Sequence, residues 1–210
     1  MENMKVALFD IDHTLTSRDT FFLFISYTIK KHPYKIIFLP FLFFVVLLRL
    51  FSIIDTTKMK SLSLVLIKEM NLEKLNRFSK QFVDKSVLKY IKNGARDEIM
   101  KYKKDGYTII LASASFEFYI KYIAEYFEAD YFFGTRIVTK NDRPLAKIDG
   151  KNCKRGEKIV RILEVICRDA IDKDNSIGFS DSLVDLHFSE IVGRFYLVDK
   201  KRWMIKNFDK

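Results

Sequence analysis

Short continuous apolar runs alternate along this chain with longer stretches in which apolar residues recur every three or four positions. Lys5 to Phe9, KVALF, is a run that ends in acids, the pattern of a strand buried on both faces of a parallel sheet. GYTIILASAS repeats it, with Gly106 as punctuation, and FEFYIKYIAEYFE after it has a helical period. DYFFGTRIV, SIGFSDS and RFYLVD read as further strands, and GEKIVRILEVIC as a helix after Gly150 to Cys153. Strand and helix alternating at this pace predict an α/β fold with a parallel sheet.

Between Thr20 and Asp105 the pattern changes. Gly and Pro are few, and LEKLNRFSKQFVDKSVLKYI sets Leu72, Leu75, Phe78, Phe82 and Val83 on one helical stripe. Three or four helices are expected there, too much chain for a loop. Residues 20–105 are therefore read as an inserted helical cap, and 1–19 with 106–210 as the core. Within the cap, KIIFLPFLFFVVLLRLF (Lys35 to Phe51) is apolar enough to suit a bilayer, although Pro40 and Arg49 interrupt it.

Charge sharpens this picture. The net charge is +10, and residues 20–105 hold 17 Lys/Arg against 7 Asp/Glu, while the remainder holds 20 of each. The whole excess surrounds the apolar run, with Lys30, Lys31, His32 and Lys35 before it and Lys58 and Lys60 after it. Basic charge beside apolar surface points to anionic lipid. No nucleic-acid recognition motif is present, and nucleic acid is not expected as a partner. Cys153 and Cys167 lack metal or redox spacing and read as reduced cytosolic thiols. MENMKVALFD, with Glu2 and Asp10, is not the pattern of a signal peptide.

The candidate chemistry lies at strand ends. Asp10-Ile11-Asp12-His13-Thr14 follows the first strand, where ligands of parallel sheets gather. Two carboxylates one residue apart can divide nucleophilic attack or metal binding from proton transfer. Ser113, with the amides of Ala114 and Ser115, can cradle an oxyanion at a helix start. Lys158 opens a helix and can neutralise a phosphate. GFSDSLVD puts Asp181 and Asp185 past another strand end, four residues apart on one helical face. Each alone has an ordinary reading, as an N-cap or a solvated lysine. Their occurrence together, in this order, does not.

DIDHT, the Ser113 of LASAS, Lys158 and GFSDSLVD together resemble the four signatures of the haloacid dehalogenase superfamily, in its phosphoserine-phosphatase-like branch. That resemblance implies a Rossmann-like core and Mg²⁺-dependent phosphoryl transfer. Asp10 would attack phosphorus and become an aspartyl phosphate. Asp12 would protonate the leaving oxygen and then activate water. Thr14, Ser113, Ala114 and Lys158 would bind the phosphorylated substrate. Asp10, the Asp12 carbonyl and Asp181 would hold Mg²⁺, with Asp185 in support. His13 departs from the usual residue and reads as a packing or solvent group.

Asp10 precedes the apolar run, while Ser113, Lys158 and Asp181 follow it. One site built from all four excludes a single membrane crossing, and FFLFISYTI is too short for a second span, which takes about 20 residues. Residues 21–54 are then either an interfacial element at the cytoplasmic face of a membrane or core of a cytoplasmic cap. The order DIDHTL, RDTFFLFISY, KKHP, FLPFLFFVVLL and GFSDS is similar to the phosphatidylglycerophosphatase C branch, which implies a lipid phosphate. Two alternatives stay open: a soluble phosphatase of phosphoserine type, and a membrane-bound protein that binds phosphorylated ligands without turnover.

Overall fold

The computed structural model describes residues 3–206; Met1, Glu2 and 207–210, the ends of the expected core, lie outside the described residues. Strand β1 (Val6–Phe9) is fully buried and pairs in parallel with β2 (Thr108–Phe116) on one side and β6 (Ile177–Ser180) on the other. With β3 (Tyr131–Thr135), β7 (Arg194–Val198) and the antiparallel edge strand β8 (Ile205–Lys206), the sheet order is β3-β2-β1-β6-β7-β8. Ala7 and Phe9 face one hydrophobic cluster, and Val6 and Leu8 the other. The first cluster contains Ile99 of helix α5 (Ala95–Lys104) with Ile120 and Ile123 of α6 (Glu117–Phe127); the second contains Ile159 and Ile162 of α7 (Gly156–Leu163). A strand covered on both faces must be apolar at every position, which explains the unbroken VALF. This is the expected Rossmann-like α/β core with a helical insertion.

The insertion holds five α-helices rather than three or four: α1 (Thr20–Lys31), α2 (Leu39–Leu50), α3 (Thr56–Ser63), α4 (Leu72–Lys85) and α5, the last packing on β2. It shares the first hydrophobic cluster with the core. Phe24 of α1 packs its ring 5.3 Å from Phe82 of α4 and 5.3 Å from Tyr119 of α6. Asp19 caps α1 by accepting from the Phe21 and Phe22 amides, which fixes where the insertion leaves the core.

Several boundaries depart from the sequence reading. DYFFGTRIV is two strands, because β4 (Ile137–Lys140) leaves the main sheet after Arg136 and forms a hairpin with β5 (Arg143–Ile148). Asn141 and Asp142 take φ of 49° and 58°, the left-handed geometry of a tight hairpin turn. The helix predicted from Leu72 stops at Lys85, followed by a 3₁₀ turn at Val87–Tyr90. Pro40 does not interrupt α2; it stands in the first turn, where its missing N–H costs nothing.

Pro33 to Leu50 is the one stretch among the described residues long and apolar enough to cross a membrane, and only 17% of it is buried. In α2 only Leu42 and Val45 turn inward, while Phe43 and Phe44 are 65% and 56% exposed. The expected 21–54 segment therefore divides: Phe21, Phe24 and Tyr27 of α1 are buried core, and the outward apolar face belongs to 34–53. Two expected flanking lysines are also not on that surface. Lys35 is buried, pairing with Glu69 at 2.6 Å, and Lys60 points into the protein; Lys30, Lys31 and Lys58 remain exposed.

Opposite outcomes are expected for neighbouring α2 positions. Phe43→Ser and Phe44→Ser should stay within about 0.5 kcal/mol of the parent in urea denaturation, as surface changes do. Leu42→Ala should cost about 2–5 kcal/mol.

Candidate active site

The strand order reverses at β1, since β2 and β3 lie to one side and β6 and β7 to the other. A crevice opens at the carboxyl end of such a switch point. Asp10 directly follows β1, and its amide extends the pairing to the Phe179 carbonyl at 2.9 Å. The chain then turns tightly, with the Ile11 carbonyl accepting from the amides of Thr14, Leu15 and Thr16 and His13 at φ 62°. Buried Lys92 donates to the His13 carbonyl and to that of Asp199, pinning the turn from beneath. Burial lowers the Lys92 ammonium to about 8.

Lys158 forms the centre of the site. Its Nζ lies 2.6 Å from Asp10 Oδ1 and 2.7 Å from Asp185 Oδ2, and all three groups are buried. Burial alone would lower the lysine, but the two carboxylates outweigh it and hold it raised and protonated. Asp10 is pushed up to about 7, first by burial against the pull of Lys158, and then by the nearby charges of Asp185 and Asp12. Ser180 donates to Asp185 at 2.9 Å. Asp185 does not share a helical face with Asp181: residues 183–190 form 3₁₀ turns, and Asp185 turns inward to Lys158 while Asp181 faces Lys200 at 3.7 Å.

Thr14 has a different place from the one expected. It is fully buried, donates to Asp10 Oδ2 at 2.8 Å and accepts from the Asp181 amide at 2.8 Å. It ties the ends of β1 and β6 together instead of lining the cavity. Ser113 also sits differently, inside β2 and four residues before α6 begins. The Ser115 amide donates to Ser113 Oγ at 2.9 Å, so that amide is already used within the strand.

Asp12 is held by four donors. Oδ1 accepts from the Thr20 amide at 2.7 Å and its hydroxyl at 2.6 Å; Oδ2 accepts from Ser113 Oγ at 2.8 Å and Ser115 Oγ at 2.7 Å. Thr20 and Ser115 were not singled out in the sequence. A second serine two residues after Ser113, on the same face of a strand, was the available signal for Ser115.

Asp10, Asp12, Ala114, Lys158, Asp181 and Asp185 all line one cavity of about 290 Å³. Asp19, at the entry to the cap, and Phe22, Met59 and Lys60 of the cap line it as well. Lys60 comes from α3, donates to the Ala114 carbonyl and to Asn152 Oδ1 at 3.1 Å, and is lowered by burial to about 8. A second cavity of about 680 Å³ abuts the first, with Thr56 and Lys154 in the walls of both.

Among the described residues there is no cluster of three His, Cys, Asp or Glu side chains in metal-binding geometry. Mg²⁺ does not require one, since it is bound by one or two carboxylates with water and substrate oxygens. Asp10 and Asp181, joined through Thr14, supply two such hard oxygen donors, and burial raises both carboxyls in the absence of a cation. This donor set fits Mg²⁺.

The haloacid dehalogenase-like hydrolase family model matches residues 7–190. A phosphoserine phosphatase from Methanocaldococcus jannaschii is 24% identical over 129 residues, 61% of this chain and 57% of that protein, so the match spans less than two thirds of the relative. A protein of unknown function from Bordetella pertussis Tohama I has a similar structure, with a TM-score of 0.80 at 19% identity over 92% of this chain and 89% of that one. A phospho-aspartyl intermediate analogue of phosphoserine phosphatase superposes with a TM-score of 0.60 at 19% identity, covering 92% of this chain and 86% of that one. These structures share the fold.

The two late aspartates are expected to separate in stability. Asp185→Asn removes a charged partner from buried Lys158 and should cost about 1.5–3 kcal/mol in urea denaturation. Asp181→Asn faces a largely exposed lysine and should cost under about 1 kcal/mol.

Proposed function

Since this chain belongs to the haloacid dehalogenase-like hydrolase family, we propose that it is a phosphomonoesterase with an Asp10 nucleophile, acting on a lipid phosphate at a membrane surface. In this reading an Asp10 carboxylate oxygen attacks phosphorus, the bond to the leaving oxygen breaks, and Asp12 gives that oxygen its proton. Asp12 then takes a proton from the water that hydrolyses the aspartyl phosphate, which restores Asp10 and releases phosphate. Three of the four donors around Asp12 are hydroxyls, which accept as well as donate. Asp12 can therefore be acid or carboxylate without stranding a buried partner. Lys158 orients Asp10 and offsets the charge of an incoming phosphoryl group. Mg²⁺, held by Asp10 and Asp181 with the Asp12 carbonyl, would neutralise phosphoryl oxygens.

The lipid reading is carried by one observation: the exposed apolar face of 34–53 ends at the wall of the larger cavity, which abuts the one that holds Asp10. Arg49, Ile53 and Ile54 line the larger cavity, and Leu50, Phe51 and Ile53 are 71%, 74% and 67% exposed. A lipid held there has its apolar part along α2 and its headgroup directed at Asp10. Lys30, Lys31 and Lys58 supply basic charge beside this face, each worth about 1 kcal/mol near an anionic surface. The place proposed for the protein is the cytoplasmic face of a membrane, without a crossing.

A soluble substrate of phosphoserine type is the second reading, favoured by Asp19 and Lys60 in the cavity wall, a carboxylate and an ammonium that suit an amino acid. Both are already engaged, Asp19 in capping α1 and Lys60 on Ala114 and Asn152.

Turnover of p-nitrophenyl phosphate with Mg²⁺ is expected for the parent protein, and Asp10→Asn should abolish it with the circular dichroism spectrum unchanged. Undiminished turnover in that variant would overturn the assignment, and none in the parent would leave a binding protein. The substrate is decided by comparing kcat/KM on a phosphatidylglycerophosphate in vesicles with that on phosphoserine. Sedimentation with anionic vesicles should fall in Phe43→Ser/Phe44→Ser and with added salt. A preference for phosphoserine without vesicle binding would select the soluble reading.

A further inference from the structure

The turn from Asp10 to Thr16 carries both early carboxylates of the site, and its own hydrogen bonds hold it weakly. One acceptor, the Ile11 carbonyl, is shared by the amides of Thr14, Leu15 and Thr16, at 3.2, 3.0 and 3.0 Å, and by Thr16 Oγ1 at 3.1 Å. A carbonyl oxygen has two lone pairs, so four donors cannot all bond it well. Thr16 Oγ1 has one proton and a nearer acceptor, the Arg18 carbonyl at 2.7 Å. Within this turn His13 stands at φ 62°. A residue with a Cβ is disfavoured there, and such a conformation persists only where its surroundings impose it.

The imposing group comes from between α4 and α5, where the chain returns beside residues 15–17. The Lys92 amide donates to the Leu15 carbonyl at 2.9 Å, and the Ser17 amide donates to the Tyr90 carbonyl at 2.8 Å. Thr16 and Ile91 face each other between them in an antiparallel bridge. These contacts set the Lys92 stem under the turn, and its Nζ donates to the His13 and Asp199 carbonyls at 2.5 Å each. The side chain is buried, and its ammonium, lowered to about 8 by burial, keeps its proton at pH 7. A charged donor makes these bonds stronger than the neutral ones inside the turn.

His13 joins two peptide planes, one carrying the Asp12 carbonyl and the next carrying its own. Holding the second against Lys92 fixes the first, and with it the backbone from which the Asp12 side chain projects. Relaxation of His13 to negative φ would turn the two planes against each other. It would also shift Thr14, whose hydroxyl lies between Asp10 Oδ2 and the Asp181 amide.

We propose that Lys92 is a positioning residue of the active site: its buried ammonium clamps the His13 carbonyl, keeps His13 left-handed, and thereby aims Asp12 at the leaving oxygen of a phosphoryl group at Asp10. This rests on the phosphomonoesterase reading and adds a residue that touches neither the substrate nor a reacting atom. Lys92 lines neither cavity of the site, so its loss is expected in kcat and not in KM.

Lys92→Met keeps the side chain's length and removes the donor. Phenyl phosphate is the probe, because its leaving oxygen depends on a proton from Asp12. At pH 7 kcat should fall at least tenfold while KM stays within twofold and the circular dichroism spectrum is unchanged; a misplacement of about 1 Å can cost about 10²-fold. Glycine takes positive φ as readily as negative, so a His13→Gly background needs the clamp less. The same Lys92→Met change should there lower kcat less than threefold, a coupling that a lysine serving stability alone would not show. If methionine abolishes folding, Lys92→Gln, which keeps an amide donor, takes its place in both comparisons. Unchanged kcat in the folded variant, a loss confined to KM, or an equal loss in both backgrounds would overturn the positioning role and leave the phosphatase reading intact. Loss of folding in both variants would make Lys92 a stability residue and overturn the role as well. Absence of turnover by the parent protein on phenyl and p-nitrophenyl phosphate would remove the phosphatase reading and the role with it.

Discussion

One buried ammonium organises this molecule. Lys158 sits between Asp10 and Asp185, at 2.6 and 2.7 Å, with all three groups withdrawn from water. Desolvation costs several kcal/mol per ion, so such a cluster persists only if its geometry is well satisfied. Ser180 and Thr14 complete it, donating to Asp185 and Asp10. The consequence is topological. The end of β1, the first turn of α7 and the 3₁₀ turns after β6 must meet within a few ångströms, although the whole helical insertion separates the first from the others. A single bilayer crossing inside that insertion is incompatible with this contact, however apolar Pro33 to Leu50 is.

The apolar surface and the basic charge then need separate explanations. A hydrophobic face built from Ile36, Ile37, Phe41, Phe43, Phe44 and Phe51 exceeds what scattered surface residues contribute, and contiguous faces of this kind mark interaction sites. The charge near it is less uniform than a count suggests. Lys35 is buried against Glu69, and Lys60 is spent on Ala114 and Asn152 inside the cavity wall. On the membrane reading proposed above, the lysines that meet lipid are those left exposed, while Arg49 turns to the larger cavity. Basic residues of the insertion thus divide between an exposed face and contacts inside the protein.

The parts legible in the sequence were those fixed by local rules. Apolar runs gave β1, β2, β6 and β7, and acids directly after two of those runs marked the crevice at Asp10 and Asp181. Lys158 at the start of α7 was readable because a helix start fixes where the side chain points. What remained hidden depends on contacts across the fold. Nothing in SDSLVDLHF distinguishes a helix carrying Asp181 and Asp185 on one face from 3₁₀ turns that send Asp185 inward; the pull of Lys158 decides it. The hairpin turn at Asn141-Asp142 did carry a local signal, but DYFFGTRIV has aromatic or β-branched residues on both sides of Arg136, which conceals the break there. Whether Lys35 and Lys60 lie in water or in protein is set by Glu69, Ala114 and Asn152, partners distant in sequence.

Asp12 links the two halves chemically as well as mechanically. Its Oδ2 is held by two serines of β2, in the core, and its Oδ1 by Thr20, the first residue of the insertion. Asp19, immediately before, caps α1 and lines the same cavity. The orientation of the proposed proton-transfer group therefore depends on how α1 enters the insertion, and α1 is locked by Phe24 against Phe82 and Tyr119. Displacement of α1 withdraws two donors from Asp12 at once, which leaves a carboxylate that its serines alone must orient. The helical insertion is in this way part of the catalytic apparatus as proposed, and not only a cover over it.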